Sequence, residues 1–203
     1  MAWSCSPPPP DGGFNLNELA AARADKDEFF RTSAESPIPP DKRAGFPPLS
    51  YFLPDPTYSV PASLEPAEGQ PQQVVEMPTS TGQRRAMRRE GVLKFSLKGH
   101  PLRLSAFVEA ETPDLDRLFV PFADLTTGTE TYAAGRYLDL NRTATGIYVV
   151  DFNRAYHPYC YYNPSYDCPY PPPENRLPIP VRAGERLPPD VSAAAQPTTA
   201  PKR

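Results

Sequence analysis

The chain has little that would single out a function class. Across its 203 residues no apolar run approaches the 18 or more residues a membrane span needs, so no membrane association is expected. Charge is nearly balanced, with 21 basic against 24 acidic side chains and a formal net charge of -3, which argues against nucleic acid as a partner. Cysteine is scarce, with three residues at 5, 160 and 168, far below the density of a secreted disulfide scaffold. The opening stretch Met1 to Asp11 holds no basic residue, and Pro7 to Pro10 stand where a leader would place its apolar stretch; a cytoplasmic location is expected. No GxSxG elbow, phosphate-cradling GxxxxGK[ST] or dinucleotide-binding GxGxxG occurs.

Proline and aromatic residues are abundant instead. Thirty prolines make the chain unusually rich in a residue that lacks a backbone donor, and 10 Phe with 11 Tyr allow a core of modest size. The prolines crowd 7–10, 37–66 and 158–180, and only Pro101, Pro113 and Pro121 fall between Thr79 and His157. That interval is therefore where a hydrogen-bonded sheet can form, and the flanks must wrap it. Residues 1–13 and 188–203 read as disordered tails around one domain over 14–187.

Asn15 with Glu18 three residues later resembles a capping box, and an uninterrupted amphipathic pattern predicts a helix over about 16–32. Short strands are expected near Thr57–Val60 and Val74–Met77. Gly91 is read as separating a strand over Gln83–Arg89 from one over Val92–Leu97. Lys98 to Pro101 then turns the chain into Leu102–Val108. Leu93, Phe95 and Leu97 alternate with polar residues, as do Leu102, Leu104, Ala106 and Val108, which predicts antiparallel strands with one solvated face. Leu118–Phe122, Tyr137–Leu140 and Ile147–Phe152 follow, the last two joined as a hairpin through Asn141–Gly146. The fold class is mainly β: an antiparallel sandwich or partly closed barrel of about six or more strands, with one N-terminal amphipathic helix and proline-rich wrapping segments. Arg84, Arg85, Arg88 and Arg89 would split between two strand faces, which suits a charged edge strand better than a nucleic-acid footprint.

Two polar constellations are candidates for a site. The first, Phe119 to Asp139, sets Asp124, Glu130, Arg136 and Asp139 in and around a loop between apolar strands, where binding groups concentrate. The second, Asp151 to Leu177, holds Asp151, Asn153, Tyr156, Glu174 and Asn175 among prolines and aromatics. Arg136 is the expected organising cation, with Glu130 and Asp151 its first partners and Asp139 in reserve, because its planar fork binds carboxylates bidentately. Local turn hydrogen bonding and a structural ion pair would explain the same residues without a ligand.

Together, FVPFADLTTGTETYAAGRYLDL and DFNRAYHPYCYYNPSYDCPYPPPENRL resemble the domain of unknown function 1684 family of bacterial proteins. ARADKDEFFRTSAESPIP and LSYFLPDPTYSV are similar to its opening. The resemblance spans roughly Leu19 to Glu185 and implies a cytoplasmic, single-domain protein with no activity to carry over. It matches at Pro121, Phe122, Asp124, Gly128, Glu130, Thr131, Tyr132, Gly135, Arg136 and Tyr137. It matches again at Asp151, Phe152, Asn153, Tyr156, Pro158, Cys160, Cys168, Pro169, Pro172, Glu174 and Asn175. The family usually has asparagine where this chain has His157, which weakens the case for an essential imidazole.

His157, Cys160 and Cys168 offer three soft ligands where a structural zinc wants four at tight spacing, so no metal and no cofactor are expected. Cys160 and Cys168 are expected to be buried reduced thiols. Two functions stay open: a module binding a small polar molecule in a pocket between the 124–139 loop and the 151–176 segment, with or without catalysis, and a non-catalytic structural or protein-interaction module whose motif residues lock the wrap. Convergence on an open cleft favours the first, and mutual satisfaction in a closed core the second. Nothing in the sequence sets an oligomeric state.

Overall fold

A computed structural model describes residues 14–66, 73–111, 116–141, 143 and 145–189. The expected tails lie outside these residues, apart from Pro188 and Pro189. Helix α1 spans Leu16–Thr32, opened by Asn15, whose side chain accepts from the amides of Asn17 and Glu18 while its own amide donates to the Glu18 carboxylate. Two orphan donors of the first turn are thereby satisfied. The helix buries only Leu19 and Phe30 fully, and Phe30 stands edge-on to Tyr162 at 4.9 Å between ring centroids. A single turn, α2 (Pro40–Arg43), follows. Among the described residues no helix is long and apolar enough to cross a membrane.

Seven strands follow: β1 (Ser59–Pro66), β2 (Val74–Pro78), β3 (Arg84–Leu97), β4 (His100–Glu109), β5 (Arg117–Phe122), β6 (Arg136–Asn141) and β7 (Ile147–Asp151). They pair antiparallel in the order β6-β5-β4-β3-β1-β7, with β2 also on β3, in a nearly closed, barrel-shaped sheet. Gly91 does not separate a pair of strands as expected. It lies inside the 14-residue β3, one step past a bulge at which the partner of Arg89 is Phe107 and that of Gly91 is Ala106. The partners of β3 change here, from β2 over Arg84–Arg88 to β1 over Gly91–Phe95. A Cβ on residue 91 would stand 2.3 Å from the Glu65 carbonyl oxygen, so the close approach of β1 requires glycine.

Two further expectations change. The Arg84–Arg89 segment is interior to the sheet, between β2 and β4, and its charges are answered one by one. Arg84 donates to the Glu76 carbonyl, Arg85 pairs with Glu109 and Asp167, Arg88 with Glu90, and Arg89 with Glu174. Strands β6 and β7 are not a hairpin: β7 pairs with β1 across Ser59–Ser63, at the opposite end of the strand order from β6. The prolines of β1 obey their missing donor. Pro61 lies outside the β3 pairing and Pro66 outside the β7 pairing, so each sits where one neighbour is absent.

The core fills from the alternating positions: Leu93 and Leu97 of β3, Leu104, Ala106 and Val108 of β4, Leu118, Val120 and Phe122 of β5, with Leu138, Val150 and Phe152. Each large side chain withdrawn there contributes about 1.5–3 kcal/mol. The second face of β4 is not solvated as expected. Ser105 and Phe107 are also buried, Phe107 against Met77, Met87 and Phe119 and Ser105 beside Asn175 of the proline-rich flank. That flank is held by backbone bridges, Tyr137 with Tyr156, Thr79 with Pro169, Ala123 with Arg176 and Tyr51 with Glu185.

One seam in the sheet is closed by a side chain. Strands β4 and β5 pair at Phe107 and Phe119. Further along, Asn175 fills the gap. Its amide nitrogen donates to the carbonyls of Ser105 (2.9 Å) and Pro121 (2.7 Å), and its oxygen accepts from the Ser105 N–H (2.7 Å). A primary amide carries the same donor and acceptor as a peptide group, so Asn175 serves as a surrogate strand residue beside a proline that has no N–H to offer.

Candidate functional site

Arg136 opens β6 with its side chain facing inward, and it is almost wholly buried. Its guanidinium meets Asp124 Oδ2 at 2.9 Å and donates to the carbonyls of Val181 (2.7 Å), Glu185 (3.2 Å) and Ala183. Burial pulls the Arg136 pKa down and the Asp124 charge opposes that pull. The other Asp124 oxygen accepts from the amides of Thr126 (2.7 Å) and Val181 (3.2 Å). Arg136 is thus the cation of a closed ion pair, with a partner other than those expected, and it does not gather the two motifs into one site. Strand alternation explains one exclusion: residues three apart face opposite sides, so Asp139 points outward. Glu130 instead pairs with the exposed Arg182, at 2.8–3.0 Å. Asp151 caps the short turn after β7, accepting from the Asn153 backbone (3.0 Å) and side chain (2.8 Å).

The nine candidates therefore fall into separate groups. Asp124 joins Arg136, and Asp151 joins Asn153, whose amide also clamps the backbone of Asp55 at both N–H and C=O (2.9 Å each). Asn175 closes the β4–β5 seam, and Glu174 pairs with Arg89 on the surface. Tyr156 donates to Asp139 at 2.9 Å, with Arg117 at 3.7 Å.

Glu185 went unnoticed in the sequence and is a buried hub. It accepts from Lys26 Nζ (2.5 Å), the His157 amide (2.7 Å) and the Tyr162 hydroxyl (2.8 Å), tying α1 to the barrel and the wrap. The one local sign is Gly184, which holds a positive φ of 77° and passes so near the chain that a Cβ would lie 2.4 Å from the Ala155 oxygen. His157 accepts from the Tyr132 amide through Nε2 (3.3 Å), leaving the proton on Nδ1, 3.8 Å from Glu185. Burial, then Arg136 and Lys26, push its pKa well below the usual value of 6.5.

A depressed histidine pKa stabilises the fold above the unfolded value and is lost as the pH falls below it, because the unfolded chain takes up a proton that the folded chain refuses. Wild-type stability should therefore fall below pH about 6.5 by up to about 1.4 kcal/mol per pH unit. His157→Asn should flatten that region of the profile, as measured by urea titrations between pH 5 and 8. An unchanged slope would refute a neutral buried His157.

The open concavity lies elsewhere. A cleft of about 850 Å³ runs between α1, the outer face of β5 and β6, and the 156–169 wrap. Rings form one part of its walls, among them Phe29, Phe119, Tyr137, Tyr156, Tyr159 and Tyr166. Phe119 and Tyr137 meet edge to face at 4.7 Å, as do Tyr159 and Tyr166 at 5.3 Å. Charged side chains of both signs share the lining with them: Lys26, Arg85 and Arg117 with Asp25, Glu109, Asp139 and Asp167. Tyr137 and Tyr156 have their pKa values raised by burial first, so both hydroxyls are protonated donors. Of the nine candidates, only Asp139 and Tyr156 reach this cleft. Among the described residues no cluster of three His, Cys, Asp or Glu side chains is placed to hold a metal ion.

A family model described as a protein of unknown function (DUF1684) matches residues 44–186. The chain belongs to that family. Among solved structures, the DUF1684 chain is similar to an uncharacterized protein of Haloarcula marismortui determined by solution NMR, at 40% identity and a TM-score of 0.66. The match covers 84% of this chain and 93% of that one. No curated protein matches. The family stretch holds the Arg136 network and the β4–β5 seam, whereas the α1 wall of the cleft, with Lys26 and Phe29, precedes it.

Proposed function

We propose that this DUF1684 chain is a binding module for a small, flat organic molecule carrying polar groups, seated in the aromatic cleft. The observation that supports it is the cleft itself. Its volume falls in the range of small-molecule sites, its walls offer ring faces, and Arg117, Asp139 and the Tyr156 hydroxyl supply a few orienting groups at its side. The reading asks only for binding, which the shape and the lining of the cleft support.

The test is a thermal-shift screen of small aromatic metabolites, since a compound that binds only the native state raises its melting temperature. A hit should perturb the amide resonances of Phe119, Tyr159 and Tyr166, and Tyr166→Ala should weaken it about tenfold or more while leaving the fold intact. Perturbations centred on Glu130 or Asp151, or a screen without hits, would overturn the reading.

The second reading, a non-catalytic structural or protein-interaction module, draws on a different observation. Asp124, Arg136, Asn153 and Asn175 are all closed off by protein groups, which is how residues that lock a wrap behave. A silent screen would favour it.

A further inference from the structure

Cys160 and Cys168 are buried free thiols brought together by the turn after α3 (Tyr159–Tyr162). The Cys160 amide donates to Cys168 Sγ at 3.3 Å, and the two thiols hydrogen-bond to each other. That contact places the residues within side-chain reach of one another, as a bridge requires. Cys168 is anchored from the far side: its amide donates to Ser80 Oγ (3.1 Å) and its carbonyl accepts from the Ser80 amide (2.9 Å). Cys168 also lines the aromatic cleft while Cys160, its hydrogen-bond partner, does not, so a small solute reaches the pair from the Cys168 side.

We propose that Cys160 and Cys168 form a peroxide-responsive dithiol that closes to an intramolecular disulfide when a small hydroperoxide enters the cleft. The inference stands apart from the binding reading, because it needs access and not a resident ligand. The hydrogen bond from Cys168 holds the Cys160 pKa down to about 7 against the opposing effect of burial, and the Cys168 thiol is pushed up in turn. One proton therefore leaves the pair near neutrality and the second stays, giving a thiolate beside a resolving thiol.

The chemistry balances with hydrogen peroxide as oxidant. The thiolate attacks one peroxide oxygen, the O–O bond breaks, and the departing hydroxide takes up the proton released by the first thiol. A sulfenic acid remains. The second sulfur attacks it, the S–O bond breaks, and the expelled hydroxide collects the second thiol's proton. Two thiols and one peroxide become a disulfide and two waters, with two electrons passing from sulfur to oxygen. Reversal needs a dithiol reductant.

The test uses the full chain carrying Cys5→Ser, so that this pair supplies the only thiols. Folded protein is exposed to excess hydrogen peroxide and its intact mass and free thiols are read. The expected result is a mass loss of two hydrogen atoms with loss of both thiols, both restored by dithiothreitol. Cys160→Ser and Cys168→Ser in the same background should instead gain oxygen and never lose two hydrogens. Two thiols persisting in folded protein would overturn the proposal. So would irreversible oxygen addition mapped by peptide mass to Cys160 or Cys168 with both cysteines present, or a bridge that forms only after urea unfolding.

Discussion

Arg136→Ala is expected to destabilise the fold by about 3–5 kcal/mol, because it strands the buried Asp124 carboxylate without its cation. The loss has a second source. The carbonyls of Val181, Ala183 and Glu185 converge on the same guanidinium, so the C-terminal wrap loses its anchor with the ion pair. Arg136→Lys should recover only a fraction of the loss, since one ammonium cannot reach a carboxylate and three carbonyls spread along the wrap. Adding Asp124→Asn to Arg136→Ala should give back some of the cost by removing the orphaned charge, a non-additivity that urea titration of the four chains would measure. An Arg136→Ala protein within about 1 kcal/mol of wild type would show that the wrap is held by other contacts.

Asn175→Ala should come next in size. It deprives the Ser105 amide and carbonyl and the Pro121 carbonyl of partners inside the barrel wall, and each bare buried group costs about 1–3 kcal/mol. A loss of about 3 kcal/mol or more is expected from the shift in denaturant midpoint, with faster hydrogen exchange at the Ser105 amide relative to wild type. Asn175→Asp should also be poor, since a carboxylate accepts where the Ser105 and Pro121 carbonyls need a donor. Unchanged protection at Ser105 would mean that β4 and β5 hold together without the amide.

Much of the scaffold was legible before any coordinates. The helix over Leu16–Thr32 has its cap and its apolar spacing written locally, and the alternation in the second half of β3 and in β4 announces strands where proline is sparse. The misreadings share one cause. Gly91 looked like a turn because glycine usually marks one, yet it serves a close approach by the distant Glu65. Arg84 to Arg89 looked like an edge because nothing local shows that the Glu76 carbonyl and the carboxylates of Glu109, Asp167 and Glu174 will arrive to meet them.

The site divides in the same way. That Arg136 would act as a cation among nearby carboxylates follows from its place at the head of an apolar strand beside an acidic loop, and the sequence by itself determined that much, along with the helix, the strand alternation and the wrapping role of the prolines. Which carboxylate it meets, that Asn175 would complete a sheet, that Glu185 would become a hub and that the rings would leave a cleft beside two thiols were decided only by tertiary structure. Periodicity and capping are properties of neighbouring residues, governed by steric rules that act over a few positions. A buried ion pair or a seam-closing amide depends on which distant segments share one small volume, and that emerges only when the chain has collapsed around its core.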